Sequence, residues 1–311
     1  MSTTIAVLIP CRDEETTVAK VVSDFHSALP GATVYVYDNG STDATVERAL
    51  AAGAVVRHEE RPGKGRVVRR MFADVDADVY VLVDGDDTYE PAAAAPMVKL
   101  LLDEQLDMVV GRRVADDTGT AYRRGHTFGN RMFNRTLHVL FGSHFKDVLS
   151  GYRVMSRRFV KSLPVTSSGF EIETELTTHA VDVEANCIEV DTAYRARPEE
   201  SESSLHTYRD GMRILRKTLT LFRELRPLRF YAILTVLLTI VAFSFGTRVL
   251  IDYLNTGEVP HFPTAFLAAS IQIVAFVSLT TGIILDAFRR ARSDARRLAY
   301  LAIPHPTASA S

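Results

Sequence analysis

Residues 264–285, TAFLAASIQIVAFVSLTTGIIL, run without a single charged side chain, and residues 230–246, FYAILTVLLTIVAFSFG, do the same shortly before them. At ~1.5 Å of rise per residue, helices built on these runs approach or exceed the ~30 Å hydrocarbon thickness of a bilayer. Two core helices of a soluble protein are the alternative, but such helices usually keep one polar face. The pattern therefore predicts two membrane-crossing helices, about 230–251 and 264–286, within a segment spanning 230–288. The connecting NTGEVPHFP has no Lys or Arg, whereas Arg223, Arg226 and Arg229 precede the first run and Arg289, Arg290, Arg292, Arg296 and Arg297 follow the second. Basic flanks stay on the cytoplasmic side, which places both chain ends there and a short loop outside. Arg248 is the dissenting charge, and Asp252 one turn on is its expected partner. These features predict a multi-pass protein of the plasma (inner) membrane.

Charge divides the chain in the same way. Of 36 Lys+Arg and 38 Asp+Glu, residues 206–311 hold 13 and 6, so residues 1–205 are acidic and the remainder basic. Residues 206–229 place Met212, Leu215, Leu219 and Phe222 at helical spacing, with arginines mostly elsewhere on the wheel. This predicts an amphipathic helix on the membrane surface, a helix packed on its own soluble domain being the alternative. Residues 289–311 read as a basic cytoplasmic tail ending in the polar PHPTASAS. The amino terminus lacks the basic start and long apolar stretch of a signal peptide. Two distant cysteines, Cys11 and Cys187, exclude a disulfide framework or a C-x-x-C zinc site. The sequons at Asn39 and Asn134 read as chance matches in a cytoplasmic domain.

Residues 1–205 alternate short β-branched runs with helical patterns. The expected strands are TIAVLIP, TVYVYD, AVVRHE, DVYVLVD, LDMVVG and CIEVDTAY; helices are expected near 14–28, 42–52, 64–74, 91–105, 126–141 and 170–182. Such alternation predicts an α/β domain with a mostly parallel sheet flanked by helices, its ligands at the carboxyl ends of the strands. The loops PCRDEE, DNGSTDAT and DGDDTYE fall there.

The last of these is the strongest chemical signal. Asp84, Asp86 and Asp87 follow an apolar run directly, where unpaired carboxylates would be costly to bury. A solvated turn, with Gly85 supplying an unusual backbone angle, is one reading. The other is a divalent cation held by two carboxylates spaced i, i+2, with positions left over for a substrate's phosphates. A second signal is the arginine density of 112–135, where Arg112, Arg113, Arg123, Arg124, Arg131 and Arg135 interrupt an acidic domain. Guanidinium forks suit phosphate, although partners such as Asp116 and Asp117 are at hand.

In order along the chain, IPCRDEETTV, YDNGSTDATV, RPGKGRVVRRMF, DGDDTYEP and SGYRVMSRR resemble the family 2 glycosyltransferases with the GT-A fold. Within them the motifs look like the polyprenyl-phosphate sugar transferases, such as dolichyl-phosphate mannose synthase and the bacterial enzymes that glycosylate undecaprenyl phosphate. The resemblance covers roughly residues 4–200. It implies a nucleotide-sugar donor, a polyprenyl phosphate acceptor, Mg²⁺ or Mn²⁺ as cofactor, and inversion at the anomeric carbon. By position, Asp86 becomes the first metal ligand and Asp84 the second, with Asp84 also near the ribose. Thr88 stands where the mannose synthases carry a metal-binding Gln, which leaves the third ligand open. Pro10, Arg12, Glu14, Asp38 and Lys64 correspond to the nucleotide contacts, Lys64 being equally readable as a solvated turn lysine. Arg112, Arg123 and Arg124 correspond to lipid-phosphate ligands, joined by Ser150, and Asp147 and Arg153 with Asp86 to the catalytic groups. Glu171 and Glu173 either support that site or cap a helix.

A lipid phosphate is largely anionic at neutral pH, so its oxygen needs positioning more than a strong base. The expected reaction gives a polyprenyl-phosphate hexose for cell-envelope glycan or glycoconjugate assembly, with UDP-hexose favoured over GDP-mannose. A processive polysaccharide synthase of the same superfamily would need a Q-x-x-R-W element, and the chain has 0 Trp. A noncatalytic nucleotide-binding scaffold at the membrane is the remaining class. Nothing points to nucleic acid, and a homo-oligomer is compatible with the sequence.

Overall fold

The computed structural model describes residues 3–115, 145–169, 171–195, 220, 222–223 and 226–305. The chain forms two compact units: residues 1–122, 141–204 and 294–311 make the first, and residues 123–140 and 205–293 the second.

The first unit is built on a seven-stranded sheet. In chain order its strands are β1 (Ile5–Cys11), β2 (Thr33–Asp38), β3 (Val55–His58), β4 (Val79–Leu82), β5 (Met108–Ala115), β6 (Arg153–Ser156) and β7 (Cys187–Tyr194). They lie side by side in the order β3-β2-β1-β4-β6-β5-β7. All pairings are parallel except those of β6, which runs antiparallel to both β4 and β5. Helices α1 (Val18–Ala28), α2 (Thr45–Ala51), α3 (Lys64–Asp74), α4 (Ala94–Asp103), α5 (Arg157–Ser162) and α6 (Ile172–Asp182) accompany it. All six expected strands and five of the six expected helices form. The helix expected at 126–141 lies outside the described residues.

Central strands covered on both faces have to be apolar at every position rather than at alternate ones. β1 and β4 meet this requirement, since Ala6 to Ile9 and Val79 to Leu82 are all buried. Val7, Ile9 and Cys11 join Val18, Val22 and Phe25 of α1 and Met97 and Leu101 of α4 in one cluster. On α3, which lies against β1 and β2, Val67, Val68, Met71 and Phe72 are buried. Parallel neighbours also bring the loops after β1, β2 and β4 to one edge of the sheet.

The second unit contains most of two long helices, α7 (Pro227–Thr256) and α8 (Phe262–Leu301), each with a stretch of mean hydropathy 2.0 and long enough to cross a membrane. The Thr235 hydroxyl donates to the Ala275 carbonyl at 3.2 Å, and Gln272 Nε2 lies 3.5 Å from Thr239 Oγ1, so polar contacts link the two helices. Asp252 lies 3.8 Å from His261 Nε2 rather than pairing with Arg248 as expected. Of the expected surface helix at 206–229, most residues lie outside the described ones.

The basic tail expected at 289–311 differs from its prediction. α8 continues to Leu301, and its last turns belong to the first unit. There Arg296 meets Asp182 at 3.1 Å, Arg297 meets Glu184 at 2.9 Å, and the Tyr300 hydroxyl donates to the buried Asp107 at 2.8 Å. Regular i, i+4 spacing carries the helix through the arginines because acidic partners await them. The end of the polar PHPTASAS, residues 306–311, lies outside the described residues.

One consequence is measurable. His179 is fully buried beneath this helix end, its Nε2 2.9 Å from Ser162 Oγ. Burial, reinforced by the nearby Arg296 charge, pushes its pKa from 6.5 down to about 4. The folded state then binds fewer protons than the unfolded one below pH ~6.5. This contribution to stability is complete above that pH and is lost as pH falls towards 4. Denaturant titrations at pH 7 and pH 4.5 should show a loss on the order of 2 kcal/mol from this group. His179→Gln should flatten that part of the profile; an unchanged slope would exclude His179 as its source.

Candidate active site

The acidic loop after β4 lies beside the end of β1. A side chain at position 85 would bring its Cβ within 2.6 Å of Cys11 Sγ, so only glycine lets the two segments approach. The Gly85 carbonyl accepts the Thr17 hydroxyl at 2.7 Å, which ties the loop to the start of α1. The left-handed residue here is Asp87, at φ 56°, and not Gly85 as the turn reading supposed. Asp87 faces α1, where Lys20 pairs with it at 2.7 Å.

Asp86 is held by its own loop. The hydroxyl of the buried Thr88 donates to Asp86 Oδ1 at 2.6 Å, and the Thr88 N–H approaches the same oxygen at 3.3 Å. Thr88 thus orients the carboxylate from the position where the resembling synthases carry a Gln. Asp84 is paired differently: Lys64 Nζ lies 2.5 Å from Asp84 Oδ1 and 2.6 Å from Glu173 Oε1. Lys64 opens α3 behind Gly63, whose φ of 131° and 2.0 Å clearance between an added Cβ and the Ser168 carbonyl admit no other residue. The glycines of RPGKGR therefore serve close packing, and they aim the lysine between two carboxylates. Burial alone would lower the Lys64 pKa, but Asp84 and Glu173 push it well above the usual value. Lys64, expected along the nucleotide pocket, is thus enclosed between Asp84 and Glu173; Glu173 lies in the first turn of α6 and Glu171 stands at its start.

Around these groups the field is strongly negative. Burial, then the charges of Glu14, Asp38, Asp84 and Asp86, push the Cys11 thiol well above its usual range. Asp38, at the end of β2, accepts the N–H groups of Gly40 and Ser41 at 3.1 Å each and lies 3.4 Å from His58 Nδ1. Burial would raise its pKa, yet these hydrogen bonds hold it below the ordinary value. Glu14 accepts the Thr17 hydroxyl at 3.2 Å, Pro10 pairs with Tyr37 one residue before β1 ends at Cys11, and the exposed Arg12 lies 3.7 Å from Asp13. Asn39 of the first sequon is buried and binds the carbonyls of Glu59 and Arg61, so it is a structural bracket.

Among the described residues, no group of three or more His, Cys, Asp or Glu side chains could hold a metal alone. The oxygen donors Asp84 and Asp86 suit a hard divalent ion that takes its other ligands from water and a diphosphate, so the residues present fit Mg²⁺ or Mn²⁺ in that mode.

The other flank is organised by Tyr89, to which the sequence assigns no role, and by Arg113, one of the arginines grouped there as suited to phosphate. The Tyr89 hydroxyl accepts the Gly151 N–H at 2.9 Å, and its ring packs on Tyr152 and Tyr194. Arg113 grips Asp147 through Nε at 2.8 Å and Nη2 at 2.7 Å and lies over the Tyr194 ring. Burial would raise the Asp147 pKa, but Arg113 brings it below the carboxylate norm, so Asp147 is an ionised, fully engaged group.

Two expected site residues turn out to be internal. Arg153 is 0% exposed, with Nε donating to the Ser150 carbonyl at 3.0 Å and Nη2 donating to the carbonyls of Val148 at 2.7 Å and Glu173 at 3.0 Å. It satisfies backbone oxygens from inside the domain. Ser150 is likewise 0% exposed, its hydroxyl donating to the Gly111 carbonyl at 2.6 Å, so it is not a phosphate ligand. Arg112 forms a forked pair with the exposed Asp191 at 2.6 and 2.7 Å. Arg123, Arg124, Arg131 and Arg135 lie outside the described residues.

Residues 6–163, half of the chain, match the family described as glycosyl transferase family 2. The chain belongs to that family. The family 2 glycosyltransferase described here is 38% identical over 208 residues to glycosyltransferase AglJ of Haloferax volcanii, covering 67% of this chain and 68% of AglJ. It is 52% identical over 122 residues to protein RfbJ of Shigella flexneri, covering 39% of this chain and 95% of RfbJ. The dolichyl-phosphate hexose transferase of Haloferax volcanii is 29% identical over 198 residues, 64% of this chain and 86% of that protein. Among solved structures, glucosyl-3-phosphoglycerate synthase of Mycobacterium tuberculosis in complex with Mn²⁺, UDP and glucosyl-3-phosphoglycerate superposes with a TM-score of 0.56 at 27% identity, covering 70% of this chain and 80% of that one. The glycosyltransferase therefore shares its sheet and helices with an enzyme crystallised with a divalent metal and a uridine nucleotide.

Proposed function

We propose that the protein transfers a hexose from a nucleotide sugar, UDP-hexose before GDP-mannose, to a polyprenyl phosphate at the cytoplasmic face of the membrane. The carrying observation is the coexistence, in one family 2 chain, of the Asp84–Asp86 loop with two helices long and apolar enough to cross a membrane. A water-soluble acceptor would not require such helices. In the reaction an acceptor phosphate oxygen attacks the anomeric carbon, a new C–O bond forms, and the bond to the donor's β-phosphate oxygen breaks. The nucleoside diphosphate leaves with the electron pair, and the anomeric configuration inverts. A divalent cation, when bound, neutralises charge on the departing diphosphate. Asp86, fixed by Thr88, would hold it, with Asp84 beside it. Pro10, Arg12, Glu14 and Asp38 would line the nucleotide. Asp147, locked by Arg113, keeps the segment leading to Gly151 in place rather than abstracting a proton. Arg112 would exchange Asp191 for the acceptor phosphate.

A second reading has support of its own. The solved neighbours include synthases complexed with phosphoglyceric acid, a small phosphorylated acceptor. The arginine-rich stretch of the sequence tests where the acceptor phosphate is held under the first reading. With Arg123→Ala and Arg124→Ala together, charge-assisted hydrogen bonds worth ~1.5–3 kcal/mol each are lost. Transfer to undecaprenyl phosphate should collapse, while calorimetric affinity for UDP with Mn²⁺ should hold. Lysine at both positions should rescue in part, because the charge remains and the fork does not. Loss of UDP affinity with normal acceptor dependence would assign these arginines to the donor instead.

A further inference from the structure

We propose that Lys64 is a built-in counter-ion that keeps Asp84 from capturing a divalent cation alone, so that cation and nucleoside diphosphate enter the site as one complex. The inference rests on the reading of Asp86 and Asp84 as the metal site. Its basis is geometric. Lys64 Nζ sits 2.5 Å from Asp84 Oδ1 and 2.6 Å from Glu173 Oε1, with side-chain exposures of only 11% for Lys64 and 7% for Glu173. The ammonium is delivered by a rigid support, because Gly63 is pinned beneath the Ser168 carbonyl and Lys64 is the first residue of α3. Glu173 is held in turn by α6, whose first turn also receives Arg153 through the Glu173 carbonyl.

A metal ion on the same Asp84 oxygen would lie against a fixed positive charge. Among the described residues no cluster of three metal-ligating side chains compensates for that repulsion. A diphosphate does so, because it brings negative charge and further oxygen ligands with the ion. Order of binding is thus set by a side chain that need not touch the sugar.

The test reads Mn²⁺ binding rather than turnover. The full chain in nanodiscs is titrated with Mn²⁺, free ion being followed by electron paramagnetic resonance, with and without UDP. In the wild type, binding without UDP should be at least about tenfold weaker than with it. The neutral replacement Lys64→Met with Glu173→Gln frees Asp84 and should tighten UDP-free Mn²⁺ binding about tenfold; adding Asp84→Asn should cancel the gain. Unchanged or weaker UDP-free binding in the folded double variant overturns the proposal. If that variant does not fold, Glu173→Gln alone decides: it removes the competing charge, leaves Lys64 beside Asp84 and should not strengthen UDP-free binding, and a gain there refutes the idea. A wild type that binds no Mn²⁺ even with UDP refutes the metal-site reading itself, a result distinct from Mn²⁺ binding equally with and without UDP, which refutes only the counter-ion.

Discussion

Asp86→Asn lowers turnover by at least about a hundredfold, roughly 2.7 kcal/mol in barrier height, while the thermal midpoint stays close to that of the wild type. The size follows from where the carboxylate stands. Thr88 donates to Asp86 Oδ1 at 2.6 Å, and asparagine can keep that bond through its carbonyl oxygen, so shape and loop conformation survive. The negative charge does not survive, and charge is what a cation beside a departing diphosphate requires. Single-turnover transfer with saturating donor measures the effect, with EDTA on the wild type as the parallel arm. Full activity in either arm would remove the metal from the account.

Arg153→Met is expected to act on stability. Its guanidinium is enclosed and donates to the carbonyls of Val148, Ser150 and Glu173 and to the Thr177 hydroxyl at 3.0 Å. Truncation removes the guanidinium from the buried carbonyls of Val148 and Ser150, each at a cost of ~1–3 kcal/mol before relaxation, while the Glu173 carbonyl keeps the Thr177 hydroxyl. A total loss of about 4 kcal/mol or more is expected, enough to unfold a marginal domain. Urea denaturation of the purified protein gives the number. A variant as stable as the wild type but inactive would restore Arg153 to the reacting atoms and contradict its internal role.

The contrast between these two residues shows what could be read from the sequence. β1, β2 and β4 announce themselves as apolar runs because both faces of the central sheet are covered, and the acidic loop stands out because three carboxylates follow one of these runs. β6 carries no such signal. It is a four-residue strand that begins with a charged side chain, and its reversed direction depends on pairing with β4 and β5 rather than on any local signal. Resemblance assigns Arg153 and Ser150 to the site, whereas their hydrogen bonds go to internal carbonyls, those of Gly111 and Glu173 coming from separate elements. The pairing of Lys64 with Asp84 and Glu173 has no local signal, since these neighbours come from separate elements. The helical continuation to Leu301 was hidden in the same way, because the acidic groups that receive Arg296 and Arg297 lie on the far side of the chain order.

The nature of the acceptor is the central claim. Purified full-length protein in nanodiscs, supplied with Mn²⁺ and a panel of radiolabelled UDP- and GDP-sugars, is offered undecaprenyl phosphate in one arm and 3-phosphoglycerate in the other. The account predicts that label from one hexose donor moves into the organic phase with undecaprenyl phosphate, as a mild-acid-labile product, and stays with the nucleotide in the second arm. Transfer to 3-phosphoglycerate, with none to the lipid, would contradict it.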